Sequence, residues 1–292
     1  MIEPRIAAAA TPEDVAVAHS LGFLSSHLAA QARILEVGCG DGALGAALLG
    51  AGHDVQALEP DGAAAAVAGS RGVEVWDLDL LDLAEPLAVP PASGADRAAA
   101  LGRYDAVLFC RSLHHVAELD TALRIVQRLL APGGLLLCEE LDRAHVDAAT
   151  AAWFYDRRHS VLGEEATRDS ATKRWLAEHD HDPPLHPGDV MLEATRRHLE
   201  IGEAVRVPYL YRYLCGRLPA DRRGAEQARS LLEEESAAIE RARSCRSVCA
   251  GPRAHPERAG RPAGGRSPVA TARVRYHPSR QDPPILFAPR AR

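Results

Sequence analysis

Apolar residues in the first half of the chain form short continuous runs separated by stretches with helical spacing. Residues 33–37 (RILEV), 54–58 (DVQAL), 73–78 (VEVWDL), 104–110 (YDAVLFC) and 135–139 (LLLCE) have the length and composition of buried strands. The intervening pattern predicts helices over 42–50, 61–69 and 117–130. In the last of these, Leu119, Leu123, Val126, Leu129 and Leu130 return to one face, and APGG stops the helix before the next strand. Residues 84–102, rich in proline and alanine, read as a loop insertion. Strand and helix alternate to about residue 140, which predicts a doubly wound α/β fold, a mostly parallel sheet covered on both faces. Further on, 189–214 reads as a helix, a strand around 203–210 and a short apolar helix, and 231–243 as another helix.

Composition narrows the class. Hydrophobic residues make up 47% of the 292 positions but aromatics only 4%, so the core must be built from Ala, Leu and Val. No apolar run approaches the roughly 18 residues of a membrane span, and the N-terminus lacks a signal-peptide pattern. The six cysteines are too scattered for a disulfide framework or a zinc spacing, which fits a reducing, cytoplasmic setting.

The net charge of −6 conceals an asymmetry. Residues 241–292 hold twelve Arg against Glu257 and Asp282, so this stretch is +10 and the remainder −16. With eight prolines and no hydrophobic periodicity, 244–292 reads as a disordered basic tail. A nucleic-acid-binding arm is the functional alternative to a solvated charge run, but the tail lacks interleaved aromatics, and the acidic body repels phosphate backbones.

In a doubly wound sheet, chemistry belongs at the carboxyl ends of the strands, which directs attention to the turn Glu36-Val-Gly-Cys-Gly-Asp-Gly42. Gly38, Gly40 and Gly42 allow the backbone to pass close beneath a ligand, and the helix that follows presents unpaired amides. Glu59 ends the second strand, where a carboxylate can accept both hydroxyls of a ribose. The same turn also satisfies a loose dinucleotide pattern, so a nicotinamide-dependent oxidoreductase competes. Glu36 and Asp41 disfavour an anionic pyrophosphate and suit a ligand bearing an ammonium group.

Five segments in order carry a family resemblance: ILEVGCGDG (34–42), LEPD (58–61), VEVWDLDLLDL (73–83), YDAVLFCRSLHHV (104–116) and LLAPGGLLLCEE (129–140). Together the sequence resembles class I S-adenosylmethionine-dependent methyltransferases, nearest to small-molecule and ubiquinone-pathway-like members. The resemblance implies a seven-stranded Rossmann-like sheet and S-adenosylmethionine as cofactor. It implies that Glu36 and the backbone at Gly38 and Gly40 lie near the methionine part, with Cys39, Asp41 and Gly42 in the same cofactor-binding turn and Cys39 needed only as a small residue. Glu59 and Pro60 fall at the ribose, and Asp79 and Leu80 at the adenine, with Asp77 and Asp82 as alternatives to Asp79. Cys110 and Arg111 fall beside the sulfonium. No metal is implied.

Methyl transfer demands alignment in a water-poor pocket, and a hydroxyl acceptor must also lose its proton. His114 and His115, just past the fourth strand, are candidates for a general base and equally for a structural pair. The segment 151–163 sets Trp153, Phe154 and Tyr155 beside Arg157 and Arg158, suited either to an aromatic or acidic acceptor or to a core helix with solvated arginines. His179, His181 and His186 alternate with Asp180 and Asp182, but two prolines and the lack of a second ligand cluster favour a lid loop over a metal site.

The expected organisation is a helical lead-in over 1–32, a cofactor-binding core over 33–141, an acceptor region completing the sheet over 142–243, and the tail. The family needs a seventh, antiparallel strand between the fifth and sixth, yet the proline- and arginine-rich residues after 243 do not suit a central strand. One codon choice for Arg243–Cys249, read two bases on, spells Ile-Leu-Pro-Val-Gly-Leu, which casts the tail as a frame-shift product and the last strand as missing or altered, with VRYHP (274–278) the only other strand-like piece and Arg275–Phe287 a poor substitute. The functional expectation is methyl transfer to an oxygen or nitrogen atom of a small molecule. A nucleoside-binding module without catalysis is the alternative, followed by the oxidoreductase.

Overall fold

The computed structural model describes residues 3–84, 103–143, 146–164, 169–181, 184–205, 207–249 and 271–275. The predicted loop insertion therefore lies, but for Ala84, outside the described residues. Seven strands form one sheet in the order β3-β2-β1-β4-β5-β7-β6. They are β1 (Arg33–Val37), β2 (Asp54–Leu58), β3 (Glu74–Trp76), β4 (Tyr104–Cys110), β5 (Leu130–Glu139), β6 (Glu200–Val205) and β7 (Thr271–Arg275). All their pairings are parallel. The order reverses between β1 and β4, so the loops leaving these two strands diverge and open a crevice.

Helices α3 (Ala43–Gly50) and α4 (Gly62–Ser70) follow β1 and β2, and α5 (Leu119–Leu129) follows β4. Leu123, Val126 and Leu129 of α5 pack on Val107 and Leu136, one side of the sheet, while Leu48, Ala68 and Ile34 belong to the core on the other. Full burial of a leucine of this kind contributes roughly 1.5–3 kcal/mol. Tyr104 anchors the sheet centre by donating to Gln56 Oε1 at 2.6 Å.

The N-terminal segment contains α1 (Glu3–Ala8) and α2 (Pro12–Ser25). Thr11 and Asp14 form a reciprocal capping box that starts α2. Its buried Val15 joins a separate cluster with Phe154 of α6 (Ala148–Leu162), Trp175 of α7 (Ala171–Glu178), Leu214 of α9 (Tyr211–Cys215) and Leu231 of α10 (Arg222–Cys249). This cluster forms a roof over the crevice. Helix α8 (Gly188–His198) instead packs beside α5 through Met191 and Leu192.

Several element boundaries differ from the sequence expectation. β3 is shorter, β5 begins at Leu130 with a register shift against Tyr104, and β6 starts at Glu200. The larger correction concerns 244–292. Residues 244–249 continue α10, and 271–275 occupy the slot between β5 and β6, parallel to both where an antiparallel strand was expected. A gap between two strands exposes unsatisfied amides and carbonyls on both edges, and the proline-free TARVR can pair with them. The remaining tail residues lie outside the described residues. No helix among the described residues is long and apolar enough to cross a membrane.

Candidate functional site

The divergence of β1 and β4 leaves a cavity of about 580 Å³. The structure brings Glu36, Gly38, Cys39, Gly40, Asp41, Cys110 and Arg111 together around it, although the two loops are 70 residues apart in the chain. Gly38 and Gly42 have φ of 69° and 75°, and a Cβ on Gly42 would stand 2.5 Å from Cβ of Ala68. Glycine is thus required both by conformation and by the approach of α4. Gly40, at φ 56°, borders open space where a side chain would intrude.

Glu36 is 2% exposed, and its Oε2 has no hydrogen-bond partner among the described residues. Burial pushes its carboxyl up to about 8; Arg111 and, least, the Gly45 backbone oppose this, while Asp41 and Glu59 reinforce it. A buried oxygen of this kind is costly unless a donor arrives. Glu59 ties the second strand to the first turn by accepting from the amides of Gly40 at 2.7 Å and Asp61 at 3.0 Å. Asp41 pairs with Arg71 at 2.7 Å, a partner not evident in the sequence.

Gly42, Glu59, Pro60, Asp79 and Leu80 do not line this cavity. Asp79 is exposed and accepts from the amide of Leu81 at 2.7 Å, while its own amide donates to Asp82 at 3.0 Å, closing a capping box for the short 3₁₀ turn Leu80–Leu83. Leu80 is buried beneath that turn. Asp77 lies against the start of α4, 3.4 Å from a Cβ placed on Gly62.

The lid of the cavity carries residues that sequence reasoning missed. Arg212 donates to Glu139 Oε1 at 2.9 Å and to Ser20 Oγ at 2.8 Å, and Ser20 donates to the other oxygen of Glu139 at 2.5 Å. All three are buried. Their separation in sequence hides the network; the only signal available was charge within otherwise apolar segments. Burial pushes the thiols of Cys39 and Cys110 up to about 12, with nearby carboxylates adding to the shift, so neither is a ready nucleophile.

Past β4, Glu140 organises the turn Leu113–His115. One carboxylate oxygen accepts from the amides of Ser112 at 3.0 Å and Leu113 at 2.7 Å, and the other meets Nδ1 of His114 at 2.5 Å. Among the described residues Nε2 of His114 has no hydrogen-bond partner. His115 holds a proton less readily than a free imidazole, first through burial and then through His114. Both histidines line a second cavity of about 360 Å³ with Arg143, Phe154, His179 and Tyr213.

The aromatic and histidine-rich segments divide by position. Phe154 and Arg158 reach the second cavity, whereas Tyr155 donates to Glu178 at 3.0 Å and Arg157 to Glu234 at 2.9 Å; Trp153 packs at the edge of the roof cluster. His179 stacks on Trp175 at 3.8 Å, His181 lines the cavity, and His186 meets the carbonyl of Val116 at 3.0 Å. Asp182 lies outside the described residues. Among those described, no group of three or more His, Cys, Asp or Glu side chains is arranged to hold a metal.

A family model described as a methyltransferase domain matches residues 12–180. A ubiquinone biosynthesis O-methyltransferase of Cereibacter sphaeroides is 31% identical over 150 residues, covering 51% of this chain and 52% of that protein. A ubiquinone/menaquinone biosynthesis C-methyltransferase of Cellvibrio japonicus is 34% identical over 77 residues, covering 26% of this chain and 31% of its own. The chain thus spans about half the length of the O-methyltransferase relative, and less of the second. A solved S-adenosylmethionine-dependent methyltransferase from Mesorhizobium loti superposes with a TM-score of 0.40 at 18% identity, covering 63% of this chain and 82% of its own.

Proposed function

The chain belongs to the methyltransferase-domain family, and on that premise we propose that it moves a methyl group from S-adenosylmethionine to an oxygen or nitrogen atom of a small molecule. The observation that carries this reading is Glu36, a buried carboxyl on the wall of a cavity whose floor is the glycine turn. That carboxyl matches the ammonium group of an amino-acid moiety, and the acidic turn disfavours a pyrophosphate.

In this assignment the backbone at Gly38 and Gly40, with Cys39, Asp41 and Gly42, shapes the methionine end. Glu59, with Pro60 beside it, serves the ribose, and Asp79 with the Leu80 amide serves the adenine. Cys110 and Arg111 border the sulfonium. The bound cofactor supplies an electrophilic methyl group on a positively charged sulfur. The residues of the chain align the acceptor with it and exclude water, which is where most of the acceleration in such a displacement arises.

For a hydroxyl acceptor, His114 serves as general base, with His115 packed beside it. Its Nδ1 is held by Glu140, so Nε2 would take the hydroxyl proton of an acceptor whose oxygen receives the methyl group that the bound cofactor would supply. Glu140 is a positioning residue, since it acts through the imidazole.

The deciding experiment is calorimetric titration with S-adenosylhomocysteine, NAD serving as control and Glu59→Ala as variant. Expected is binding of S-adenosylhomocysteine, no binding of NAD, and a loss of about tenfold or more in the variant, on the order of 1.4 kcal/mol. Folded protein that ignores S-adenosylhomocysteine overturns the reading. Cofactor binding without turnover across a broad acceptor screen would identify a non-catalytic nucleoside-binding module.

A further inference from the structure

The second cavity has a charge composition that the methyl-transfer reading leaves unused. Three arginines border it. Arg158 is neutralised by Glu164 at 2.7 Å and Glu178 at 2.6 Å, and Arg217 pairs with Glu164. Arg143 differs: its carbonyl accepts from Nε1 of Trp175 at 3.1 Å, but its guanidinium has no ion-pair or hydrogen-bond partner among the described residues. A half-buried guanidinium facing a cavity is a strong attractor for a planar anion, because its fork of N–H groups matches a carboxylate.

Much of the rest of the wall carries rings; Leu185 also lines it, as does Glu178, whose charge is met by Arg158 and Arg174. Phe154 meets Tyr213 edge-on with centroids 6.1 Å apart and Trp175 at 5.4 Å, and His179 stacks on Trp175. A volume of about 360 Å³ lies within the usual range for small-molecule pockets, toward its lower end. The two spaces share one stretch of chain: Arg212, Cys215 and Gly216 line the first cavity, and Tyr213 and Arg217 the second.

We propose that this cavity is the acceptor pocket and that its substrate is a small hydroxylated aromatic acid, with its ring on Phe154 and Tyr213, its carboxylate on Arg143 and its hydroxyl toward His114. The proposal rests on the methyl-transfer reading. It narrows that reading to oxygen acceptors bearing a negative charge. In the reaction the hydroxyl proton passes to Nε2 of His114, a C–O bond replaces the C–S bond, and the carboxylate stays unmodified on Arg143.

The test uses the full chain saturated with S-adenosylhomocysteine and titrates 3- and 4-hydroxyphenylacetate, 3- and 4-hydroxybenzoate, and the neutral amide of each. At least one acid is expected to bind about tenfold or more tightly than its amide. Arg143→Gln should abolish that preference, and Arg143→Lys should restore part of it, with S-adenosylhomocysteine affinity unchanged in both. Equal binding of acid and amide, binding of no acid in the panel, or a preference that survives Arg143→Gln overturns the acceptor assignment while the cofactor reading stands. Failure to bind S-adenosylhomocysteine itself would instead strike the underlying reading, so the two failures are distinguishable.

Discussion

Glu140 and His114 form one unit: the carboxylate that receives Nδ1 of His114 at 2.5 Å also receives the two amides that open the turn carrying that histidine. Ring and backbone are therefore oriented by a single buried side chain. His114→Ala is expected to lower kcat for a hydroxyl acceptor by about 10²–10⁴-fold, with little change in S-adenosylhomocysteine affinity. Glu140→Gln should lower kcat less, because an amide oxygen can still accept from Nδ1. Steady-state kinetics with both variants check this, and an unchanged kcat in His114→Ala refutes a base role.

Glu36 makes cofactor binding proton-linked. Its carboxyl is raised from 4.5 to about 8 by burial, so the folded protein carries it protonated near neutrality. Meeting an ammonium group favours the ionised form, so binding releases a proton. Affinity should rise by up to roughly tenfold per pH unit below about 8 and level off above it. Calorimetry in buffers of different ionisation enthalpy reads the released proton. Glu36→Gln should weaken binding and flatten its pH dependence.

The same shift bears on stability. A carboxyl whose folded value lies above its unfolded one contributes stability fully present below 4.5 and lost as pH rises through about 8. Thermal melts of the ligand-free protein from pH 5 to 9 should therefore show a decline across that window that Glu36→Gln lacks. A variant with the same decline as wild type would locate the titrating group elsewhere.

Arg212 and Glu139 hold the lid to the sheet across a buried 2.9 Å contact. Arg212→Met breaks this buried ion pair in a water-poor setting and should cost about 3–5 kcal/mol in chemical denaturation. The double variant Arg212→Met/Glu139→Gln should recover part of that loss, since the unbalanced charge disappears with it.

Two glycines separate conformational strain from crowding. Gly52 has φ of 90° and nothing within 4 Å of an added Cβ, so Gly52→Ala should cost on the order of 1–2 kcal/mol. Gly42→Ala adds a 2.5 Å clash with Ala68 and should cost more, roughly 3 kcal/mol or above, while also displacing the first turn. Denaturant midpoints of the two variants give the comparison directly.

The strands β1, β2 and β4, the helices between them and the glycine turn at their carboxyl ends were legible in the order of the residues alone. Those features depend on local periodicity and on backbone angles that few residues tolerate. The five ordered segments also carried the family, because spacing along the chain is what a shared scaffold preserves. Which charges meet follows from how the elements pack. The Ser20–Glu139–Arg212 lid and the Glu140–His114 unit join residues tens or hundreds of positions apart, and whether a buried polar group is satisfied depends on what packs against it. The pairing of 271–275 between β5 and β6 follows the same logic: VRYHP (274–278) is strand-like by composition, but its entry into the sheet with the bounds 271–275 and parallel to both neighbours rests on two open strand edges that supply the hydrogen bonds.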